Sequence, residues 1–361
     1  MKDLFADFEG RAYLNCAYQG PLPLETCDAI REAIQLKAQP YRIAEELLFS
    51  VPDDVRAELG GLLGAPPRNF AVTNGASDGI FAVVRGLEWR SGDQVLLAEG
   101  DFPSNFYSWS HLKAQGVETV IGPADRLLDR LGPRTRVLCV SWVSYNDGSR
   151  LDLRKLGEAC RANGTLFVVD LSQGAGALEI HLEDLPVDVA VGCGYKWLLS
   201  PYGTGYAYFT PASLERLRVV DVYWEAIVGA ENFNRLPREN WRLVDDARRF
   251  DSVETAAFLN LYGMRASLRF LRRVGPAAIT RHVHELFAHL IPRLPAGFRA
   301  SGGESTILCL EGRDPQATAQ AHARAVAGKV MVSLRQDRIR VSPHLYNTVE
   351  DMDRLIHALQ D

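Results

Sequence analysis

Between residues 66 and 209 the chain repeats one rhythm: a short β-branched or apolar run, a turn rich in Gly, Asn, Asp or Ser, then apolar residues at helical spacing. Strand-length runs alternating with helical ones pair through crossovers, which confines this region to an α/β sheet with helices on both faces. The pattern predicts strands over 69–73, 94–98, 117–121, 136–143, 165–170, 188–193 and 204–209, and helices over 77–88, 105–115 and 153–163. The last two strands are separated only by loop-like residues around Ser200-Pro201-Tyr202-Gly203, too few for a helical crossover. That pair is therefore expected to be antiparallel, in a mostly parallel mixed sheet.

The rhythm then stops. A polar, Trp- and Arg-bearing stretch from 221 to 250 reads as loops and short helices, followed by helices over 254–273 and 276–291. The tail alternates strand 306–311, helix 315–326, strands 330–334 and 338–341, and helix 349–359, a small α+β domain. The expected division is a large α/β domain over 15–250 and a small domain over 251–361 that includes residues 1–14. A chain of 361 residues with 47% hydrophobic content can bury a core of that size.

Composition narrows the function classes. A formal charge of −5, with 40 basic residues scattered along the chain, disfavours nucleic acid or an anionic membrane as partner. The N-terminus lacks the order of a signal peptide, and no apolar run approaches the roughly 20 residues of a membrane helix. Six dispersed cysteines make no disulfide framework or zinc motif, so a cytoplasmic location is expected. His282, His284 and His289 are badly spaced for chelation, and no metal is expected.

The chemistry-bearing residues fall at predicted strand ends, which in α/β sheets face the binding crevice. Asp170, in Val168-Val169-Asp170-Leu171-Ser172-Gln173, and Lys196, in Gly192-Cys193-Gly194-Tyr195-Lys196-Trp197, each follow such a run. An acid that can protonate a ring nitrogen and an amine that can form a Schiff base are the two groups a pyridoxal phosphate enzyme needs. Lys196 sits in apolar, glycine-rich company, poor surroundings for a solvated charge. Gly75-Ala76-Ser77-Asp78 follows a strand and opens a helix, where small residues and free N–H groups suit a phosphate; it is equally an ordinary helix cap. Phe102 precedes Pro103 and so belongs to the loop, where an aromatic ring can meet a ligand. Ser144-Tyr145-Asn146-Asp147-Gly148 brings polar donors to the same edge or forms a plain turn. Arg338 and Arg340 share a strand face, and either can clamp a carboxylate or serve a surface ion pair.

Taken in order, these segments resemble the class V aminotransferase family of fold-type I pyridoxal phosphate enzymes. The likeness runs from Tyr13-Leu14-Asn15-Cys16-Ala17 and Gly20-Pro21-Leu22-Pro23, through Asp170-x-x-Gln173, Tyr195-Lys196-Trp197 and Gly203-x-Gly205, to Arg340-Val341-Ser342-Pro343-His344-Leu345-Tyr346-Asn347-Thr348. The resemblance implies pyridoxal 5'-phosphate as cofactor. Lys196 then carries it as a Schiff base and moves the proton at the substrate α-carbon, while Asp170 keeps the pyridine nitrogen protonated. Gln173 contacts the ring's phenolic oxygen, Phe102 stacks on the ring, and Ala76, Ser77 and Tyr195 bind the phosphate. Asn146 lies near the ring oxygen or substrate, Asn105 faces the substrate, and Arg340 receives its carboxylate. The resemblance also implies a homodimer with shared sites, in which Thr255 reaches the partner's phosphate, although Glu254 stands where glycine is usual. It implies an amino acid substrate and an aminotransferase-like reaction, with lyase, hydrolase or epimerase chemistry as alternatives. Desulfurases that carry a persulfide need a loop cysteine before the carboxylate-binding arginine, and 326–340 contains none. Kynureninases have histidine where this chain has Gln173 and an acid where it has Asn105. A nucleotide-binding enzyme is disfavoured, because both glycine-rich phosphate signatures are missing.

Overall fold

The chain enters the fold through a two-residue strand, β1 (Ala12–Tyr13), and two helices, α1 (Leu24–Ala38) and α2 (Leu47–Leu63), in a computed structural model that describes residues 1–254 and 257–360. Periodicity does not announce these helices. Only Thr26 and Ala33 of α1 are buried, and α2 carries Pro52 in its second turn and a Gly60-Gly61 pair near its end.

Seven strands then build the main sheet: β2 (Phe70–Thr73), β3 (Gln94–Ala98), β4 (Glu118–Gly122), β5 (Thr135–Ser141), β6 (Leu166–Asp170), β7 (Val189–Cys193) and β8 (Gly205–Phe209). Their order is β2-β8-β7-β6-β5-β3-β4, and β8 alone runs against its neighbours. The helices between them are α3 (Ala76–Gly86), α4 (Pro103–Tyr107), α5 (Leu153–Asn163) and α6 (Pro211–Arg216). Alternate strand residues serve two cores. Leu96, Leu138, Phe167, Val169 and Tyr206 pack with α2, and Val95, Val137, Val168, Val191 and Ala207 pack with α3. This is the mostly parallel mixed sheet, covered by helices on both faces, that the sequence pattern predicts.

The helix expected over 105–115 comes apart. α4 stops at Tyr107, and Ser110–Gln115 is a separate 3-10 turn. Serine hydroxyls compete for the backbone here, Ser108 Oγ donating to Ser104 O at 2.6 Å and Ser110 Oγ to Tyr107 O at 2.8 Å.

After the irregular stretch come α7 (Phe258–Val274) and α8 (Pro276–Leu290), then β9 (Arg299–Gly302), β10 (Leu308–Glu311), α9 (Pro315–Ala327), β11 (Val330–Met331), β12 (Ser333–Arg335), β13 (Arg338–Val341) and α10 (Val349–Leu359). α7 packs against α1 and α2. The second sheet is antiparallel, in the order β12-β13-β10-β9, and a third core joins it to α8, α9, α10 and Leu14. The strand expected over 330–334 is split: β11 pairs with β1, and β12 pairs with β13. Among the described residues no helix is long and apolar enough to cross a membrane, and no cluster of metal-ligating side chains is present.

Candidate active site

Because β2, β3, β5, β6 and β7 are parallel, their carboxyl ends open on one edge of the sheet, and each loop that follows adds a side chain there. Asp170 ends β6, in register with Ser141 of β5 and Val191 of β7. It is only 4% exposed, and its Oδ1 accepts a hydrogen bond from Ser172 N at 2.8 Å. Burial pushes this carboxyl above the usual carboxylate range, while the Ser172 hydrogen bonds and the Lys196 ammonium act against the shift.

Lys196 lies just beyond β7. Among the described residues it is the one buried lysine, at 7% exposure; Lys2, Lys37, Lys113, Lys155 and Lys329 are exposed. Its Nζ stands 4.9 Å from the centroid of the Phe102 ring and 5.6 Å from that of Tyr195. The loop carrying it is tightly built. Leu199 adopts a left-handed φ of 50°, strained for a branched side chain, and donates its N–H to Lys196 O at 3.0 Å. The N-terminal segment seats on the same loop, with Gly20 N donating to Tyr195 O at 2.9 Å. A Cβ on Gly20 would come within 2.1 Å of Lys196 O, which gives that glycine a physical reason.

Phe102 is extended (φ −64°, ψ 142°), as Pro103 requires, and the Tyr145 ring meets it edge-on at 5.2 Å and 89°. At the end of β2, α3 begins from Gly75 with no side-chain cap, leaving its first N–H groups for a ligand. Ala76 is buried there, and Ser77 Oγ lies 3.1 Å from Ser104 Oγ. β8 passes close behind: a Cβ on Gly205 would sit 2.5 Å from Gly75 Cα. Tyr195 stacks on Tyr202 at 4.2 Å.

The second sheet closes the site from the other side. Arg340 on β13 is 2% exposed and donates from Nη1 to Tyr145 O at 2.6 Å. Burial lowers its pKa to about 10, so it remains protonated at neutral pH. Its register partner Cys309 donates from Sγ to Asn146 O at 3.2 Å, so one cross-strand pair grips two successive carbonyls. Asn146 Nδ2 donates to Gly100 O at 2.7 Å. Asn146 Oδ1 and Arg340 Nε are buried without a hydrogen-bond partner among the described residues.

Two expected residues also carry hydrogen bonds within the protein, and a third is not described. Gln173 accepts from Trp197 Nε1 at 2.9 Å and donates to Ala17 O at 3.0 Å, a brace between the lysine loop and the N-terminal segment that leaves one amide hydrogen. Asn105 is buried, with Nδ2 donating to Ser141 Oγ at 3.0 Å. Thr255 lies outside the described residues. Sequence reasoning missed Asp101 and Ser141, whose hydrogen bonds join the ends of β3 and β5, and Ser104 beside Ser77. An acid directly before the loop aromatic was the available signal for Asp101.

A buried acid, a buried amine, an aromatic wall, open helix N–H groups and an unpartnered guanidinium nitrogen together fit pyridoxal phosphate and an amino acid carboxylate. The sequence profile of the aminotransferase class-V family matches residues 21–300. The isopenicillin N epimerase of Amycolatopsis lactamdurans is 27% identical, covering 96% of this chain and 94% of the relative. A probable cysteine desulfurase of Methanothermobacter thermautotrophicus is 24% identical, covering 97% and 94%. Among solved structures, a C-DES variant with glycine covalently linked to its PLP cofactor superposes with a TM-score of 0.88 at 22% identity, covering 99% of this chain and 98% of that one. The profile spans most of the chain and the fold agrees over its whole length: this protein belongs to the class-V aminotransferase family.

Proposed function

We propose that the protein is a pyridoxal phosphate-dependent enzyme that acts on a free amino acid and transfers its amino group. The observation that carries this reading is Lys196 Nζ, the buried amine set 4.9 Å from the Phe102 ring beside the buried Asp170. When bound, pyridoxal phosphate supplies a carbonyl that takes up amino groups and a ring that accepts electron density from the substrate α-carbon. Ala76 and Ser77 N–H groups at the start of α3, with Tyr195, hold the phosphate. Asp170 would keep a proton on the pyridine nitrogen, Phe102 would cover the ring, and Asn146, whose Oδ1 is buried without a partner among the described residues, would lie near the ring oxygen or substrate. Arg340 pairs with the substrate carboxylate. Lys196 Nζ, buried beside the Phe102 and Tyr195 rings, takes the proton from the α-carbon.

A second reading, epimerisation through the same lysine, is supported by the likeness to an isopenicillin N epimerase, and β-elimination is the other alternative. Product analysis separates them. With pyridoxal phosphate, a panel of amino acids and a 2-oxo acid acceptor, amino transfer yields the keto acid of the substrate without free ammonia. Appearance of the D-enantiomer, or of ammonia with loss of the β-substituent, would replace amino transfer by one of the alternatives.

The backbone contact behind the phosphate loop gives a further expectation. Gly205→Ala forces β8 and Gly75 apart, because neither backbone can yield as a side chain can. The Kd for pyridoxal phosphate should rise about tenfold, roughly 1.4 kcal/mol, as measured by titrating the apoprotein.

A further inference from the structure

Asp101 stands between the end of β3 and the start of α4, and its carboxylate collects three hydrogen bonds. Oδ1 accepts from Phe102 N at 2.6 Å and from Ser141 Oγ at 2.5 Å, and Oδ2 accepts from Ser141 N at 2.8 Å. Ser141 Oγ accepts in turn from Asn105 Nδ2 at 3.0 Å, so the hydroxyl relays one direction of donation from Asn105 to Asp101. A carboxylate with short donors on both oxygens is held in one orientation. It ties the loop after β3 to the end of β5, whose Ser141 lies in register with Asp170.

The residue most directly fixed by this arrangement is Phe102. Its own N–H is captured, Pro103 excludes a helical conformation for it, and Tyr145 braces its ring from the side. Its ring is the surface that faces Lys196 Nζ. We propose that Asp101, relayed by Ser141 and Asn105, is a positioning residue that sets the Phe102 ring across the slot where the cofactor ring lies; this rests on reading the site as a pyridoxal phosphate site. An asparagine would not replace it, because its NH₂ group would face Ser141 N, donor against donor. The Asp101 charge also opposes ionisation of Asp170, after the larger effect of burial.

The test is a double-mutant cycle on apoprotein, reading the Kd for pyridoxal phosphate by absorbance titration, with the Tm of each variant alongside. Asp101→Ala should weaken binding about tenfold in the wild-type background. In a Phe102→Leu background the same change should cost less than about twofold, since the ring it positions is gone. If Asp101→Ala does not fold, Ser141→Ala carries the cycle, with a smaller weakening of about threefold that also vanishes beside Phe102→Leu. An unchanged Kd, or an equal loss in both backgrounds, overturns the proposal and leaves a merely structural Asp101. Failure of the wild-type protein to bind pyridoxal phosphate removes the underlying reading instead, and is visible before any variant is made.

Discussion

Lys196→Ala is expected to abolish turnover, by at least about 10³-fold, while leaving the fold in place. The two effects separate because of where the side chain lies. Its amine has aromatic neighbours, Phe102 and Tyr195, and its burial carries a desolvation cost that alanine removes. The loop is held by its backbone instead, through Gly20 N on Tyr195 O and Leu199 N on Lys196 O, and these bonds survive the substitution. Far-UV circular dichroism and Tm should therefore stay close to wild type while amino acid turnover disappears. Residual activity within tenfold of wild type would assign the proton transfer to another group.

Asp170→Asn is expected to lower turnover about 10²-fold or more and to weaken pyridoxal phosphate binding, with no loss of apoprotein stability. The amide cannot hold a proton on the ring nitrogen as a carboxylate does. Its Oδ1 can still accept from Ser172 N, so the local structure persists. The sign of the stability effect follows from the pKa. Burial raises Asp170 above its unfolded value, so folding favours the protonated form and the group becomes less favourable as pH rises through the raised pKa. At neutral pH a neutral asparagine relieves that cost. A Tm equal to or above wild type together with impaired turnover fits the account; a large fall in Tm would mark Asp170 as a structural acid.

Much of the sheet was legible because continuous apolar runs of strand length and turn chemistry are local signals. The bounds expected for β3, α5, β13 and α10 agree with those observed, and the short connection before β8 correctly implied an antiparallel strand. Local signals fail where partners are remote. α2 is stabilised by packing that its Pro52 and glycines conceal, and β9 offers only one apolar residue, Ala300, to a strand pattern. The same division runs through the site. Lys196, Asp170 and Phe102 announce themselves by type and position at strand ends. Asp101 and Ser141 meet across 40 residues, and Gln173 spans from Trp197 to Ala17. Such pairings exist only after the strands are ordered, so a sequence shows the residues without their partners. Family likeness suggested a ring contact for Gln173, and the fold adds a brace from its side chain to Trp197 and Ala17 that uses one of its two amide hydrogens.

The most direct test of the account asks which amine takes up pyridoxal phosphate. Protein loaded with the cofactor is reduced with borohydride, digested and mapped by mass spectrometry. The account predicts a visible absorption band that reduction removes, and a single cofactor adduct on the peptide containing Lys196, since the other five lysines are exposed and unaccompanied by such a site. No band, or label spread over the exposed lysines with Lys196 unmodified, would contradict it.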